Sequence, residues 1–338
     1  MDLKQKIDLI KRNTEEVIGE EELAKLLTSK KKPIVYWGTA PTGRPHIGYF
    51  LPALKIADLL RAGFQVKILL ADLHAALDNV EWRVLEQRYI YYTKVIPLMI
   101  QVIGVEAKDL KFVKGSDYQL KPEYMLDVLR LSSMTSIHDA NKAASEVVKM
   151  GDNPKVSGLI YPLMQAADEQ YLDADAQLGG SDQRKIMVLA REKLPKLCYK
   201  QRVEIINPLI PGLIGKKMSA SDERSKIDLL DDEETVKKKL NSAECAEGNP
   251  DNGVMVFLKY VIMTIKKDKN EKFIVKRPAK FGGDLQYGSY EEVQEDFIAK
   301  KLHPLDLKNA VAEEISSLLI IFQKKRKEIE KLAELAYS

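Results

Sequence analysis

Three groups of residues in this sequence have types and spacings that could do chemistry. The first is Gly38-Thr-Ala-Pro-Thr-Gly-Arg-Pro-His-Ile-Gly-Tyr49. Gly38 and Gly43 carry no Cβ, so backbone there can approach a ligand closely. A helix starting at about His46 would aim free N–H groups and the positive end of its dipole at a phosphate. His46 can donate a hydrogen bond to a phosphate oxygen, and Gly48 leaves room for a purine or ribose against the helix. The competing reading is a plain turn with a capping histidine, because short glycine-rich motifs recur by chance. A Walker A loop is excluded, since no Gly-Lys-Ser/Thr follows at the required spacing.

The second group is Pro211-Gly-Leu-Ile-Gly-Lys-Lys-Met-Ser-Ala-Ser221. Its glycines permit movement, and Lys216 and Lys217 could follow charge developing on a departing pyrophosphate. Such help counts when it is stronger in the transition state than in the ground state. Ser219 and Ser221 can donate to phosphate or cap the next helix. Taken alone, the segment reads equally as a solvated loop. The third group is Tyr161, Gln165 and Asp168, at i, i+4 and i+7 of one helix and so on one face. A phenol, an amide and a carboxylate in a mostly apolar helix need partners if buried. A bound amino acid would supply them: Asp168 suits a phenolic hydroxyl, Tyr161 and Gln165 an ammonium group. A solvent-facing polar stripe is the alternative.

These groups need a scaffold. Ile34 to Gly38 is a short apolar β-rich run, hence a buried strand, and Ile47, Phe50, Leu51, Leu54 and Ala57 repeat at helical spacing after it. Val66 to Ala71 and Lys111 to Lys114 read as further strands, with Glu81 to Val102 helical between them. Strand, helix, strand in this order implies crossovers and a parallel sheet. Asn13 with Glu16 reads as a cap that starts a helix toward Leu27. Leu120 to Met150 reads as two helices parted near His138, Ser157 to Leu172 as another, and Gln177 to Gln183 as a strand end with a Gly-Gly turn. A helix follows from Lys185. From Asp231 onward the chain reads as mostly helical, which sets the expected domain boundary.

Composition bounds the rest. A chain of 338 residues suggests two domains, and 45% apolar with 30% charged residues is an ordinary globular balance. A net charge of +3 is too small to announce a polyanion partner, so nucleic acid must meet local patches. No apolar run is long enough to span a bilayer, and the charged first residues do not read as a secretory signal. Cys198 and Cys245 lack metal-ligand spacing and fit a reduced compartment.

Taken together, the motifs are more specific. His46-Ile-Gly-Tyr49 resembles the His-Ile-Gly-His signature, and Lys217-Met-Ser-Ala-Ser221 the Lys-Met-Ser-Lys-Ser signature, of class I aminoacyl-tRNA synthetases. Tyr49 replaces the second histidine, so no histidine role carries over there. Ala220 replaces the second lysine, leaving pyrophosphate contact to Lys217, helped by Lys216. Tyr36-Trp-Gly-Thr39, Leu70-Ala-Asp-Leu-His-Ala75, Leu159-Ile-Tyr-Pro-Leu-Met-Gln-Ala-Ala-Asp168 and Gly179-Gly-Ser-Asp-Gln-Arg-Lys185 are similar to segments of the archaeal and eukaryotic cytosolic tyrosyl-tRNA synthetases. The similarity runs from about Ile34 onward.

The resemblance implies an α/β fold: a class I Rossmann-type catalytic domain over residues 1–230, with a dimer-forming helical insertion at about 115–155, then a helical anticodon-binding domain over 231–338. It implies activation of L-tyrosine by ATP, with Mg²⁺ on the phosphates and no resident metal, and transfer to tRNA-Tyr. Catalytic roles fall on His46, Gly48, Lys217, Ser219 and Ser221. Gly38, Thr39, Gly180, Asp182 and Met218 join His46, Gly48 and Lys217 around ATP. Tyr36 and Asp168 would bracket the tyrosine phenol, while Tyr161, Gln165 and Gln183 hold its amino end. Leu69, His74, Tyr118 and Gln119 would line that pocket. Arg184 would meet the tRNA acceptor stem, and Phe281, His303 and Asp306 the anticodon. Also implied are a homodimer, for which Met125, Leu126, Leu129, Leu131 and Met134 offer an apolar patch, and a cytoplasmic location without membrane contact. The nearest rival within the fold is a tryptophanyl enzyme. A catalytically silent relative that binds RNA is a rival of a different class.

Overall fold

In the computed structural model, residues 1–106, 110–148, 151–215, 218 and 224–337 are described. Among them, six strands form one sheet: β1 (Glu16–Ile18), β2 (Ile34–Thr39), β3 (Gln65–Leu70), β4 (Leu110–Lys114), β5 (Ala176–Gly180) and β6 (Val203–Asn207). Their spatial order is β1-β6-β5-β2-β3-β4. Every pairing is parallel except β1 with β6. Central strands covered on both faces need unbroken apolar runs, as Ile68-Leu-Leu70 and Ile205-Ile206 show.

Crossovers carry the chain outward from β2 to β3 and β4, through helices Phe50–Arg61 and Leu85–Val102. The chain then returns, through helices Pro122–Ser133, Ile137–Ala144 and Ser157–Tyr171, to lay β5 on the other side of β2. The direction of winding therefore reverses between β2 and β5. In doubly wound sheets the crevice beyond the strand carboxyl ends at such a reversal is where ligands bind. The loop after β2 and the Gly-Gly turn after β5 both open there.

Several elements differ from the sequence expectation. The segment from Asn13 to Leu27 is not one helix. Asn13 adopts a left-handed φ of +58° and turns the chain, Glu16–Ile18 joins the sheet as an antiparallel edge, and a new helix runs Glu20–Ser29. Three strand residues are too few for a periodic signal, and pairing with β6 decides the matter. β6 itself was not anticipated. The break between the two insertion helices comes at Met134, earlier than His138, because Ser136 caps the second helix by accepting from the Asp139 N–H. Beyond Asp231 the helices are interrupted by a hairpin, β7 (Phe273–Val275) with β8 (Leu285–Tyr287).

Apolar burial forms two clusters. One joins the sheet to the helices after Asp231 without interruption, from Ile10 through Val66 and Val254 to Ala336. The other joins the insertion (Tyr124, Val128, Leu131) to helix Ser157–Tyr171 and helix Arg184–Lys193. Leu131 is fully buried in this second cluster, so it serves the core and not an outer patch. Met125, Leu126 and Leu129 face outward, and Met134 is half-buried.

Candidate active site

The reversal point holds a cavity of about 350 Å³. Its walls come from the end of β2 (Tyr36 to Thr39), the His46–Tyr49 turn, helix Ser157–Tyr171 (Tyr161, Gln165, Asp168), and the end of β5 (Gly179, Gly180, Asp182, Gln183). Leu69, His74 and Met218 complete the predicted set found there, and Asn207 and Asp78 are additional. Gly38 shows why a glycine suits this wall: a Cβ would make only ordinary contacts, 3.6 Å from Tyr36 and 3.7 Å from Leu69, so it would take space from the cavity without disturbing the protein.

At one end, the polar groups are arranged around a gap. Asp168 is buried, and its Oδ1 accepts three hydrogen bonds, from Tyr118 Oη (2.7 Å), Gln119 Nε2 (2.8 Å) and Tyr124 Oη (2.8 Å). Among the described residues its Oδ2 accepts none, and neither the Tyr36 hydroxyl nor His74 Nε2 has a partner. His74 Nε2 stands 3.8 Å from Asp168 Oδ2. Buried polar atoms left unsatisfied in this way are costly unless a ligand completes them. Burial pushes the Asp168 carboxyl up to about 7, against the pull of its three donors. Burial also holds His74 near 4, hence neutral, with its ring edge-on to Tyr161 at 4.6 Å.

Tyr118 and Gln119, expected to line the cavity, sit one layer back, where they orient Asp168. Tyr124 was missed. It lies in the insertion, and its spacing from Val128 and Leu131 reads simply as an apolar stripe. Glu169 and Glu204 were missed as well. Both are fully buried, and burial raises both carboxyls above the ordinary range: against the pull of Arg202 and Arg191 at Glu169, and with the added charge of Glu169 at Glu204. Arg202 Nε approaches Glu169 Oε2 at 3.9 Å.

At the other end is the turn after β2. His46 caps a single 3₁₀ turn, Ile47–Tyr49, by accepting from the Gly48 N–H on Nδ1 at 3.2 Å. The long helix starts only at Phe50. Burial, reinforced by the Lys226 charge, lowers His46 to about 4. The imidazole is therefore neutral at physiological pH, and with Nδ1 accepting, its proton sits on Nε2 as a donor. A Cβ at Gly48 would lie 2.9 Å from the His46 ring and 3.3 Å from Met218 Sδ, so a side chain there would displace the histidine. Tyr49 is a framework residue: its hydroxyl bonds Thr39 Oγ1 and Tyr92 Oη, each at 3.3 Å.

Lys217, Ser219 and Ser221 lie outside the described residues. Arg184 follows the cavity residue Gln183 but turns outward, bound to Glu16 through two hydrogen bonds of 2.5 and 3.0 Å. The C-terminal candidates lie far along the chain from the cavity residues. Phe281 is 60% exposed on the turn between β7 and β8, beneath Lys280. His303 caps helix Pro304–Lys324, and Asp306 lies in its first turn. Arg277 ties the two loops together, donating to Gly283 O and Lys301 O.

Residues 28–320 match the family model for class I tRNA synthetases (W and Y). A cytoplasmic tyrosine–tRNA ligase of Danio rerio is 52% identical over 98% of this chain, which spans 63% of that relative's length. One of Saccharomyces cerevisiae is 50% identical over 94% of this chain and 83% of its own. The crystal structure of tyrosyl-tRNA synthetase complexed with L-tyrosine from Archaeoglobus fulgidus superposes with a TM-score of 0.88 at 41% identity, covering 97% of this chain and 100% of that one. With the doubly wound sheet and its cavity, these matches establish that the chain belongs to the class I tRNA synthetases of the tryptophan and tyrosine group.

Proposed function

We propose that this protein is a tyrosine–tRNA ligase. The observation that carries the reading is the gap between Asp168 Oδ2, the Tyr36 hydroxyl and His74 Nε2, all buried and unpaired. A phenol fills it: its O–H donates to Asp168 Oδ2 while its oxygen accepts from Tyr36. An indole offers no oxygen and would leave the carboxylate and hydroxyl unsatisfied, which weighs against tryptophan. Tyr161, Gln165 and Gln183 then hold the ammonium end, and the substrate carboxylate faces the His46 turn.

Activation joins that carboxylate to the α-phosphate of ATP and releases pyrophosphate. No protein nucleophile takes part. The chain positions the two reactants and stabilises phosphate charge. Neutral His46 donates from Nε2 to a phosphate oxygen, Gly38, Thr39, Gly180 and Asp182 cradle the adenosine, and Lys217, with Ser219 and Ser221, acts on the leaving pyrophosphate. Mg²⁺ carried by ATP would neutralise phosphate charge, and the Asp78 and Asp182 carboxylates that line the cavity are hard oxygen donors of the kind it takes. In the second step a ribose hydroxyl of the terminal adenosine of tRNA-Tyr attacks the acyl carbon, the bond to the adenylate phosphate breaks, and AMP leaves. The part before Asp231 serves catalysis, and the Phe281, His303 and Asp306 surface reads the anticodon. Arg184 faces the acceptor stem once tRNA displaces Glu16. The working form is a homodimer through Met125, Leu126 and Leu129, in the cytoplasm like the relatives of that name.

The test is ATP–pyrophosphate exchange with each amino acid, followed by charging of tRNA-Tyr. Tyrosine alone should support both. Exchange driven by tryptophan, or none at all, would overturn the reading.

A further inference from the structure

The loop between β2 and His46 is held from outside by side chains of two distant helices. Arg88 donates through Nη1 to Pro41 O (3.1 Å) and Thr42 O (2.7 Å). Gly43 O accepts from Tyr92 Oη (2.7 Å) and Tyr337 Oη (2.9 Å). Arg88 and Tyr92 are one turn apart on helix Leu85–Val102, whereas Tyr337 belongs to helix Arg326–Tyr337. The two helices are locked together at this point. Arg88 Nε donates to Ala336 O at 3.1 Å, its guanidinium lies 4.7 Å from the centre of the Tyr337 ring, and Tyr91 packs edge-on against that ring at 5.5 Å.

Three successive carbonyls thus have fixed partners in a segment that belongs to neither a strand nor a helix. A peptide plane carries its N–H opposite its C=O, so holding the carbonyls of residues 41–43 also sets the N–H groups that follow them. Ala40 and Thr42 of this loop line the cavity, and Tyr92 extends the support through Tyr49 to Thr39 on the cavity wall. Arg88 has a second reason to stay in place, because it stacks on Tyr337. Loss of the Tyr337 ring removes one of the contacts that hold Arg88 in place.

We propose that Arg88 and Tyr337 are positioning residues for ATP: helix Arg326–Tyr337 straps the loop of residues 40–43 into the shape that receives the phosphates. Adenylate formation then depends on a contact made by the C-terminal helices. This departs from a strict division between a catalytic part over residues 1–230 and an anticodon-binding part over 231–338. The inference rests on the activation reading given above.

The experiment uses the full chain and five variants: Arg88→Met, Arg88→Lys, Tyr92→Phe, Tyr337→Phe and the double Tyr92→Phe/Tyr337→Phe. Exchange kinetics give KM and kcat for ATP. Equilibrium binding gives tyrosine and ATP affinity separately, and melting gives Tm. Arg88→Met should impair ATP use by about tenfold or more, as loss of two charge-assisted hydrogen bonds implies, with tyrosine affinity within about twofold of wild type. Arg88→Lys should recover part of the loss. Tyr337→Phe keeps the ring on Arg88 and should cost only a few-fold, while the double variant, which leaves Gly43 O with no phenol, should cost more than the two single losses together. Unchanged ATP kinetics in folded Arg88→Met and double variants would overturn the proposal. Equal losses for ATP and tyrosine that simply follow Tm would overturn it too, since they describe a structural contact. Should wild type fail to exchange with tyrosine, the activation reading falls, and ATP affinity of wild type against Arg88→Met still decides the strap.

Discussion

Tyr124 donates its hydroxyl to Asp168 Oδ1 across 2.8 Å, from a helix whose opposite face carries Met125, Leu126 and Leu129 into solvent. Two turns of one helix therefore reach the floor of the pocket and the outer surface at once. Tyr124→Phe keeps the ring and its edge-on contacts with Tyr118 and Tyr171 but removes one of three donors to the carboxylate. A hydrogen bond to a charged group contributes about 1.5–3 kcal/mol, so tyrosine should bind roughly ten- to a hundredfold more weakly. ATP affinity should not move. Tyrosine binding equal to wild type would show that Tyr124 does not hold Asp168 in place.

Asp168 also makes the protein pH-sensitive. Its folded pKa of about 7 is raised above the unfolded value of 3.8, so its favourable contribution is present below about 3.8 and is lost as pH rises through 7. Above pH 7 the free protein carries a buried carboxylate with one unpaired oxygen. Asp168→Asn should accordingly melt higher than wild type at pH 8, with the gap closing as pH falls toward 4. Tyrosine affinity should run the other way. The phenol donates to the ionised carboxylate, so wild type should bind tyrosine about tenfold better at pH 8 than at pH 6. A flat tyrosine profile in wild type would mean that Asp168 does not titrate in this range.

The insertion yields a paired test of association. Leu129 is 62% exposed and Leu131 is 1% exposed, two residues apart on the same helix. Leu129→Glu should dissociate the proposed homodimer while leaving Tm and the far-ultraviolet spectrum of the protomer near wild type. Leu131→Glu should instead destabilise the fold, by several kcal/mol for a charge placed in a packed core. Sedimentation of wild type as a monomer at micromolar concentration would contradict the assignment of this face.

For the C-terminal surface, Phe281→Ala and Asp306→Ala should leave ATP–pyrophosphate exchange intact. Charging should fall by roughly ten- to a hundredfold, as losing a stacked base of about 1–3 kcal/mol implies. With the mutant enzyme, changing the tRNA anticodon should then bring little further loss. Independent multiplication of the two defects would return these loops to the role of helix connections.

The sequence told much about the pocket and little about its support. Tyr161, Gln165 and Asp168 are legible because helical spacing puts polar groups on one face of an apolar helix, and all three line the cavity. His46 and Gly48 are legible only beside Lys217-Met-Ser-Ala-Ser221, because a short glycine-rich turn alone recurs by chance. Tyr118 and Gln119 sit one layer behind the cavity wall expected of them, since proximity to a site does not say which way a side chain turns. Tyr124, Glu169 and Tyr337 leave no local trace. Each acts through a contact more than 30 residues away, which no spacing rule encodes. The edge strand Glu16–Ile18 was read as helix for the same reason: a three-residue strand exists only by pairing with β6, some 190 residues on.

The central claim is that Asp168 and Tyr36 recognise a phenolic hydroxyl. The most direct test is the ratio of kcat/KM for tyrosine to that for phenylalanine, in ATP–pyrophosphate exchange, for wild type and for Asp168→Asn. Wild type should prefer tyrosine by on the order of 10⁴ or more, the discrimination already known for tyrosine-specific synthetases themselves. Asp168→Asn should lose most of that preference by failing on tyrosine, with phenylalanine and ATP binding little changed. An Asp168→Asn enzyme that still prefers tyrosine to the wild-type extent would contradict the account.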